Sequence, residues 1–344
     1  MVFIPSDKTS AGDGNSQADR VPGEGRTFSL AHFSDLHITC TDRIELHHLM
    51  NKRLFGYLRW KLHRGAKYQD EILTILKKDL QQMKPNHVLI TGDLTHLSLP
   101  AEFEKVEKWL QSLSTPAQVT VIPGNHDAYV RTDWHQTFSG WLSYMISDTA
   151  YQTHESVNGL DDVFPILRVR GDIALIGVCT AYPCAPHLAT GRMGVPQLKK
   201  LEKILKQAAA QNLFRIIAIH HPPITGMISR RKRLTDASAL RRLLASYGAE
   251  LVLHGHTHAT AYHTLPTPAG VIPVVGVPAA SSSDDTGSRG ARYNVYQVSP
   301  SGDGWRISIS ARVYSKKDRC FVPEKNRWVS IPASADEYRC PEGS

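Results

Sequence analysis

Five short polar clusters carry the chemistry legible in this 344-residue chain: Asp35-Leu36-His37, Gly92-Asp93, Gly124-Asn125-His126-Asp127, His220-His221 and Gly255-His256-Thr257-His258. Each follows directly on a short apolar run. Carboxylate, amide oxygen and neutral imidazole are ligands that first-row divalent ions accept where thiolates are missing. Two such ions roughly 3.5 Å apart need a shared carboxylate, several imidazoles and open positions for water and substrate. Asp35, His37, Asp93, Asn125, His220, His256 and His258 would supply that set. Two carboxylates facing two dications leave an excess of about two positive charges, which acidifies a bound water and attracts phosphate. The residues point to hydrolysis of phosphate esters. Any one of these histidines is explained as well by an ordinary buried or loop position; five clusters in order, each after an apolar run, are not. The glycines before Asp93, Asn125 and His256 predict sharp turns in which a side chain would crowd the site.

The elements that must position these clusters follow from periodicity. Phe28 to Phe33, Val88 to Thr91, Val119 to Ile122, Ile173 to Val178, Ile216 to Ile219 and Leu251 to Leu253 read as strands. Helical spacing links Ile72, Leu73, Leu76, Leu80 and Met83, then Phe103, Val106, Leu110 and Leu113, then Leu198, Leu201, Leu205 and Ala208 behind Pro196. A fourth helix opens at Thr235 or Asp236 and stops at Gly248. Strands alternating with helices predict an α/β sheet whose carboxyl ends bring the clusters to one rim. From Ala261 onward the pattern turns β-like, with a hairpin from Arg292 to Tyr314 around Ser301-Gly302-Asp303-Gly304. That region is expected to form a second sheet packed on the first.

Composition excludes several classes. Lys and Arg number 40 against 32 Asp and Glu, a formal charge of +8 that favours an anionic partner. Hydrophobic residues at 41% suffice for a substantial core. No run approaches the roughly 18 apolar residues of a membrane-spanning helix. Five cysteines (Cys40, Cys179, Cys184, Cys320, Cys340) without CxxC spacing read as free thiols in a reducing compartment, with a Cys320–Cys340 pairing left open. Residues 1–26 are polar and Gly-rich without a signal-peptide core, and read as a flexible leader on a cytoplasmic protein. One domain is expected over 27–316, with a basic and aromatic insertion at about 41–68 and a polar surface tail over 317–344.

The motif order D-x-H, G-D, G-N-H-D, H, G-H-x-H, running from Asp35 to His258, resembles that of the calcineurin-like metallophosphoesterases. The resemblance implies a four-layer α/β/β/α sandwich of two mixed sheets with a dinuclear centre at the strand rim. It implies one ion held by Asp35, His37 and His258, the other by Asn125, His220 and His256, and Asp93 bridging both. The ions would be Mn, Fe or Zn. His126 would meet the substrate phosphate as a catalytic group, with Asp127 orienting its ring, while a metal-bridging hydroxide attacks phosphorus in line. His220 is the expected ligand of the tandem pair and His221 the alternative; His96 and His254 sit beside motifs and could reach the site behind the ligands.

Three substrate readings compete. The resemblance to cyclic-nucleotide and glycerophosphodiester phosphodiesterases rests on His220-His221-Pro222-Pro223 and Asn125-His126-Asp127. A membrane-surface phosphoanhydride hydrolase of the UDP-2,3-diacylglucosamine type would use the insertion, whose Leu54, Phe55, Tyr57, Leu58, Trp60 and Leu62 alternate with Lys52, Arg53, Arg59, Lys61 and Arg64. Such a protein would sit peripherally on the inner face of a membrane. Arg230-Arg231-Lys232-Arg233 adds charge near the rim, although charge runs commonly do no more than solvate a surface. A nuclease has only the net charge behind it, which argues against nucleic acid as the partner. A non-catalytic scaffold is disfavoured by the complete ligand set.

Overall fold

The FSLAHF run forms strand β1 (Phe28–Phe33), which pairs in parallel with β2 (His87–Ile90); β2 pairs in parallel with β3 (Val119–Val121). The computed structural model describes residues 27–40, 44, 51–63, 69–152, 156–284, 287–302, 304–324 and 327–331; the expected leader, much of the insertion including Arg64, and the end of the tail with Cys340 lie outside them. Helix α1 (Arg53–His63) falls in the insertion, and α2 (Asp70–Met83) and α3 (Pro100–Leu113) follow the predicted periodicity. Asp70 and Glu71 sit in the first turn of α2, where the helix dipole favours negative charge. Ile72, Leu73, Leu76 and Leu80 are buried, whereas Met83 in the final turn is exposed. In α3, Pro100 occupies the first turn and Glu102 Oε2 accepts the Leu97 and Leu99 amides at 2.8 and 3.1 Å, so amides at the helix entry are paired.

Two four-residue helices, α4 (Leu142–Met145) and α5 (Leu160–Val163), precede β4 (Ile166–Arg170) and β5 (Ile173–Gly177). Then come α6 (Val195–Ala210), β6 (Phe214–Ile219), α7 (Ala237–Tyr247), β7 (Leu251–His254) and the hairpin of β8 (Ala261–Thr267) and β9 (Gly270–Gly276). Asp236 caps α7 by position, but its carboxylate accepts the Met193 and Gly194 amides and so ties α7 to the start of α6. These strands form a six-stranded sheet ordered β4-β5-β6-β7-β9-β8.

The last strands do not make a second sheet of their own. Strand β10 (Arg292–Ser301) adds antiparallel to β1, and β11 (Gly304–Ser315) extends it, while β8 and β9 complete the other sheet beside β7. Pairing with β10 and β9 covers edges of β1 and β7 whose backbone groups would otherwise need other partners. The expected surface tail also begins with structure: β12 (Cys320–Pro323) and β13 (Arg327–Ile331) pair with β11. The first sheet thus runs β12-β11-β10-β1-β2-β3, with β13 on β11.

The result is a four-layer α/β/β/α sandwich. One core joins α2 and α3 to the first sheet and continues between the sheets through Ile166, Leu175, Phe214, Ile216, Leu251 and Val275. The second lies between the other face of the six-stranded sheet (Ile176, Ile217, Val252, Val274) and Leu201, Leu205, Leu240 and Leu244 of α6 and α7. Alternate residues of β5, β6 and β7 face opposite cores, as a strand buried on both sides requires.

Candidate active site

The five clusters leave strand ends on two sheets, not one: β1, β2 and β3 carry the first three, and β6 and β7 the others. The site is the seam where these ends meet. Ser34 bridges to Ala279 across it, the Thr91 carbonyl accepts His220 Nδ1 at 2.6 Å, and the His256 amide donates to Asp35 Oδ2 at 3.0 Å. Asp35, His37, Asp93, His256 and His258 all have left-handed backbone, with φ of 58°, 48°, 55°, 66° and 52°. Such conformations cost non-glycine residues energy and persist where the surroundings fix them. The turns also need glycine: a Cβ on Gly124 would collide with the Asp93 carboxylate, and one on Gly255 with the Ser34 hydroxyl and, at 2.5 Å, Asp35 Oδ2. The crowding comes from Asp93, Asp35 and the Ser34 hydroxyl beside it.

Two groups of donor atoms result. Asp35 Oδ1 lies 3.0 Å from His258 Nε2 and 3.8 Å from His37 Nε2, and those two imidazole nitrogens are 3.2 Å apart. His220 Nε2 lies 3.2 Å from Asn125 Oδ1 and 3.4 Å from Asp93 Oδ2, and the His256 ring stands 5.0 Å from that of His220. Asp93 sits between the groups, its Oδ1 accepting the His126 amide at 2.7 Å. Outer partners fix the tautomers. His220 donates through Nδ1 to Thr91, which turns its Nε2 toward Asn125 and Asp93, and His256 donates through Nε2 to the Lys232 carbonyl at 2.9 Å, which leaves its Nδ1 as the electron-pair donor. His221 is engaged at both nitrogens, by Thr180 Oγ1 at 2.7 Å and the Ala189 carbonyl at 3.2 Å, so the first histidine of the tandem faces the site.

This donor set fits divalent cations. Asp35 Oδ1 is buried without a hydrogen-bond partner, costly in a bare protein and ordinary for a metal ligand. Burial, then the neighbouring histidines His126 and His258, hold His37 well below the usual imidazole range; burial and then His221 and His220 do the same for His256. Both are neutral bases, the form that binds metal. Burial disfavours charge on His220 too, but Asp93 raises it to about 9, while His220 and His126 keep the Asp93 carboxyl well below its usual range against its own burial.

His126 and Asp127 do not form the expected pair. The Asp127 carboxylate is fully buried and accepts the Gly124 and Thr95 amides at 2.8 Å each and the Thr95 hydroxyl at 3.0 Å. It shapes the turn that presents Asn125 and His126; burial, and after it the Asp93 charge, push its carboxyl up to about 7. His126 Nδ1 lies 2.6 Å from the His96 carbonyl, and the His126 ring stacks between His96 and Tyr129 at 5.2 and 5.6 Å. His96 therefore stands directly behind the site, whereas buried His254 keeps its Nδ1 on the Gly255 carbonyl.

A cavity of about 420 Å³ opens over Asp93, Asn125, His126, His256 and His258, walled by Lys52, Tyr129, His187, Arg231, Lys232 and Arg289. Lys52 and Arg231 come from the two basic runs noted in the sequence. Tyr129, His187 and Arg289 had no sequence signal, because each reaches the cavity from a loop without a motif. A larger cavity of about 530 Å³ lies between α6 and residues 146–167 and contains none of the candidate ligands.

With that geometry in place, three comparisons bear on it. A family model for calcineurin-like phosphoesterases matches residues 28–260. The chain is 24% identical over 292 residues to a probable cyclic nucleotide phosphodiesterase of Synechococcus, covering 83% of this chain and 93% of that protein. It is 27% identical over 262 residues to a cAMP/cGMP dual specificity phosphodiesterase of Mycobacterium tuberculosis, covering 74% and 67%. Among solved structures, a dimetal phosphatase from Danio rerio superposes with a TM-score of 0.57 at 14% identity, over 86% of this chain and 98% of that one, a likeness of fold alone.

Proposed function

The chain belongs to the calcineurin-like phosphoesterase family and is a metal-dependent phosphoester hydrolase, and from that premise we propose that it is a phosphodiesterase that opens a cyclic nucleotide. The observation that carries this is the gathering of Asp35, His37 and His258 on one side of Asp93 and of Asn125, His220 and His256 on the other, next to a cavity of about 420 Å³ with cationic walls, a size suited to a small molecule. Similarity to the two cyclic nucleotide phosphodiesterases supports the substrate class.

Asp35, His37 and His258 would hold one divalent ion, Asn125, His220 and His256 the other, and Asp93 both. When bound, Mn, Fe or Zn would neutralise phosphate charge and acidify water for attack on phosphorus. The chain's own residues do the rest. The His96 carbonyl fixes the His126 ring through Nδ1, and the ring would stabilise charge on the phosphoryl group or protonate the leaving oxygen through Nε2. Asp127 acts by holding the turn. Arg231 and Arg289 add positive potential at the mouth.

A second reading, UDP-2,3-diacylglucosamine as substrate, draws on the exposed Leu54, Phe55 and Leu58 of α1. A panel of cyclic AMP, a glycerophosphodiester and UDP-2,3-diacylglucosamine at one Mn²⁺ concentration separates the readings. Cyclic AMP should have the highest kcat/KM; a preference of about tenfold or more for either other substrate would overturn this assignment.

A further inference from the structure

Helix α1 has two unlike faces. Toward the protein, Arg53 is buried and donates to the carbonyls of Leu97 at 2.9 Å and Ser98 at 2.5 Å. Lys52, one residue earlier, donates to the carbonyls of Cys184 and Leu188, each at 3.2 Å, and lies over the Tyr129 ring. These bonds fix the helix as a wall of the metal-site cavity, which Lys52 and Gly56 line. Away from the protein, Leu54, Phe55 and Leu58 are 41%, 54% and 45% exposed. Their i, i+1, i+4 spacing makes one continuous stripe. Phe55 stands 5.7 Å from the ring of His187, itself a lining residue, so the stripe reaches the lip of the cavity.

Charge borders the same opening. Arg231, Lys232 and Arg289 line it, and Arg230 and Arg233 beside them are exposed. We propose that this rim docks on an anionic lipid bilayer, with Leu54, Phe55 and Leu58 entering the interfacial layer while exposed Arg230, Arg231 and Arg233 meet headgroup phosphates. A bilayer presents apolar chains directly beneath anionic groups, matching both features, whereas nucleic acid would gain nothing from the stripe. The cavity would then open at the membrane surface. This inference does not rest on the reaction proposed above.

The test uses the full chain with vesicles of phosphatidylcholine alone and of phosphatidylcholine mixed with phosphatidylglycerol, read by co-sedimentation at low and high salt. Binding should be about tenfold or more stronger to the anionic vesicles and weaken with salt. Leu54→Ser/Phe55→Ser/Leu58→Ser should cut it about tenfold or more. Arg230→Glu/Arg233→Glu should cut it at least about fivefold per residue and flatten the salt dependence. Both variants should keep bis(p-nitrophenyl) phosphate turnover, which reports that they are folded; the charge variant carries the test by itself if the triple substitution costs the fold. Equal binding to both vesicle types overturns the proposal, as does a parent dimer that the triple substitution dissociates, which would make the stripe a contact between copies. Vesicle binding without any diesterase activity would sink the catalytic reading and leave this one standing.

Discussion

Asp93 and His126 lie side by side, the His126 amide donating to the Asp93 carboxylate at 2.7 Å, yet their side chains stand in different relations to the donor groups. The Asp93 carboxylate lies between the two groups, so Asp93→Ala should release both ions and abolish turnover. The His126 ring is bonded to a backbone carbonyl outside the ligand set, so His126→Ala should keep its metal, measured by elemental analysis, while turnover falls by about 10² to 10⁴. Equal metal loss in the two variants would contradict the roles assigned to them. The types and order of these residues were legible in the sequence. The partner of His126 was not: the family resemblance implied Asp127, but the turn points that carboxylate back at Gly124 and Thr95.

At the scale of elements, the strands supply rigidity, and their interiors hold histidines that play no part in the site. His87 in β2 bonds Thr120 Oγ1 at 2.8 Å, and His32 in β1 bonds Thr91 Oγ1 at 2.9 Å. Burial drops both to about 3; the secondary causes are Arg170 and Arg168 for His87 and His254 for His32. Both are neutral when folded and titrate near 6.5 when unfolded, so the unfolded chain binds more protons between those values. Stability is full above pH 6.5 and lost as pH falls toward 3, by about 1.4 kcal/mol per pH unit for each histidine. His87→Gln should flatten the fall in urea-unfolding free energy between pH 6.5 and 4.5 by about that slope; an unchanged slope would show that His87 is protonated in the folded protein. Periodicity located β1, α2, α3, α6 and α7 closely, because each buries a regular stripe. It did not locate α1 as a helix, because Leu54, Phe55 and Leu58 form an exposed stripe and not a buried one, with Phe55 meeting the His187 ring at 5.7 Å.

At the scale of the whole molecule, the candidate centre is a joint between two sheets, and ions bound there would tie β1, β2 and β3 to β6 and β7. Chelation should therefore lower the melting temperature as well as end activity, and Mn²⁺ should restore both. A ligand at about a hundred times its dissociation constant contributes about 2.7 kcal/mol to stability. A melting temperature unmoved by EDTA, with metal shown to be gone, would mean that the sheets hold the seam unaided. Among the described residues no helix is long and apolar enough to cross a membrane.

The sequence by itself determined the ligand types, their order and their place after apolar runs, because metal chemistry restricts side-chain identity and a strand end restricts spacing. It also determined the α/β class, since period-two and period-3.6 patterns alternate along the chain. The tertiary structure decided what depends on distant segments meeting: which edge each late strand extends, that the rim is a seam between two sheets, that Lys52 grips the loop at 184–188 and that the Lys232 carbonyl sets the tautomer of His256. Hydrogen-bond partners 24 to 136 positions apart, as in those contacts, leave no periodic trace in the chain, because each is fixed by packing that exists only once the two sheets close on each other.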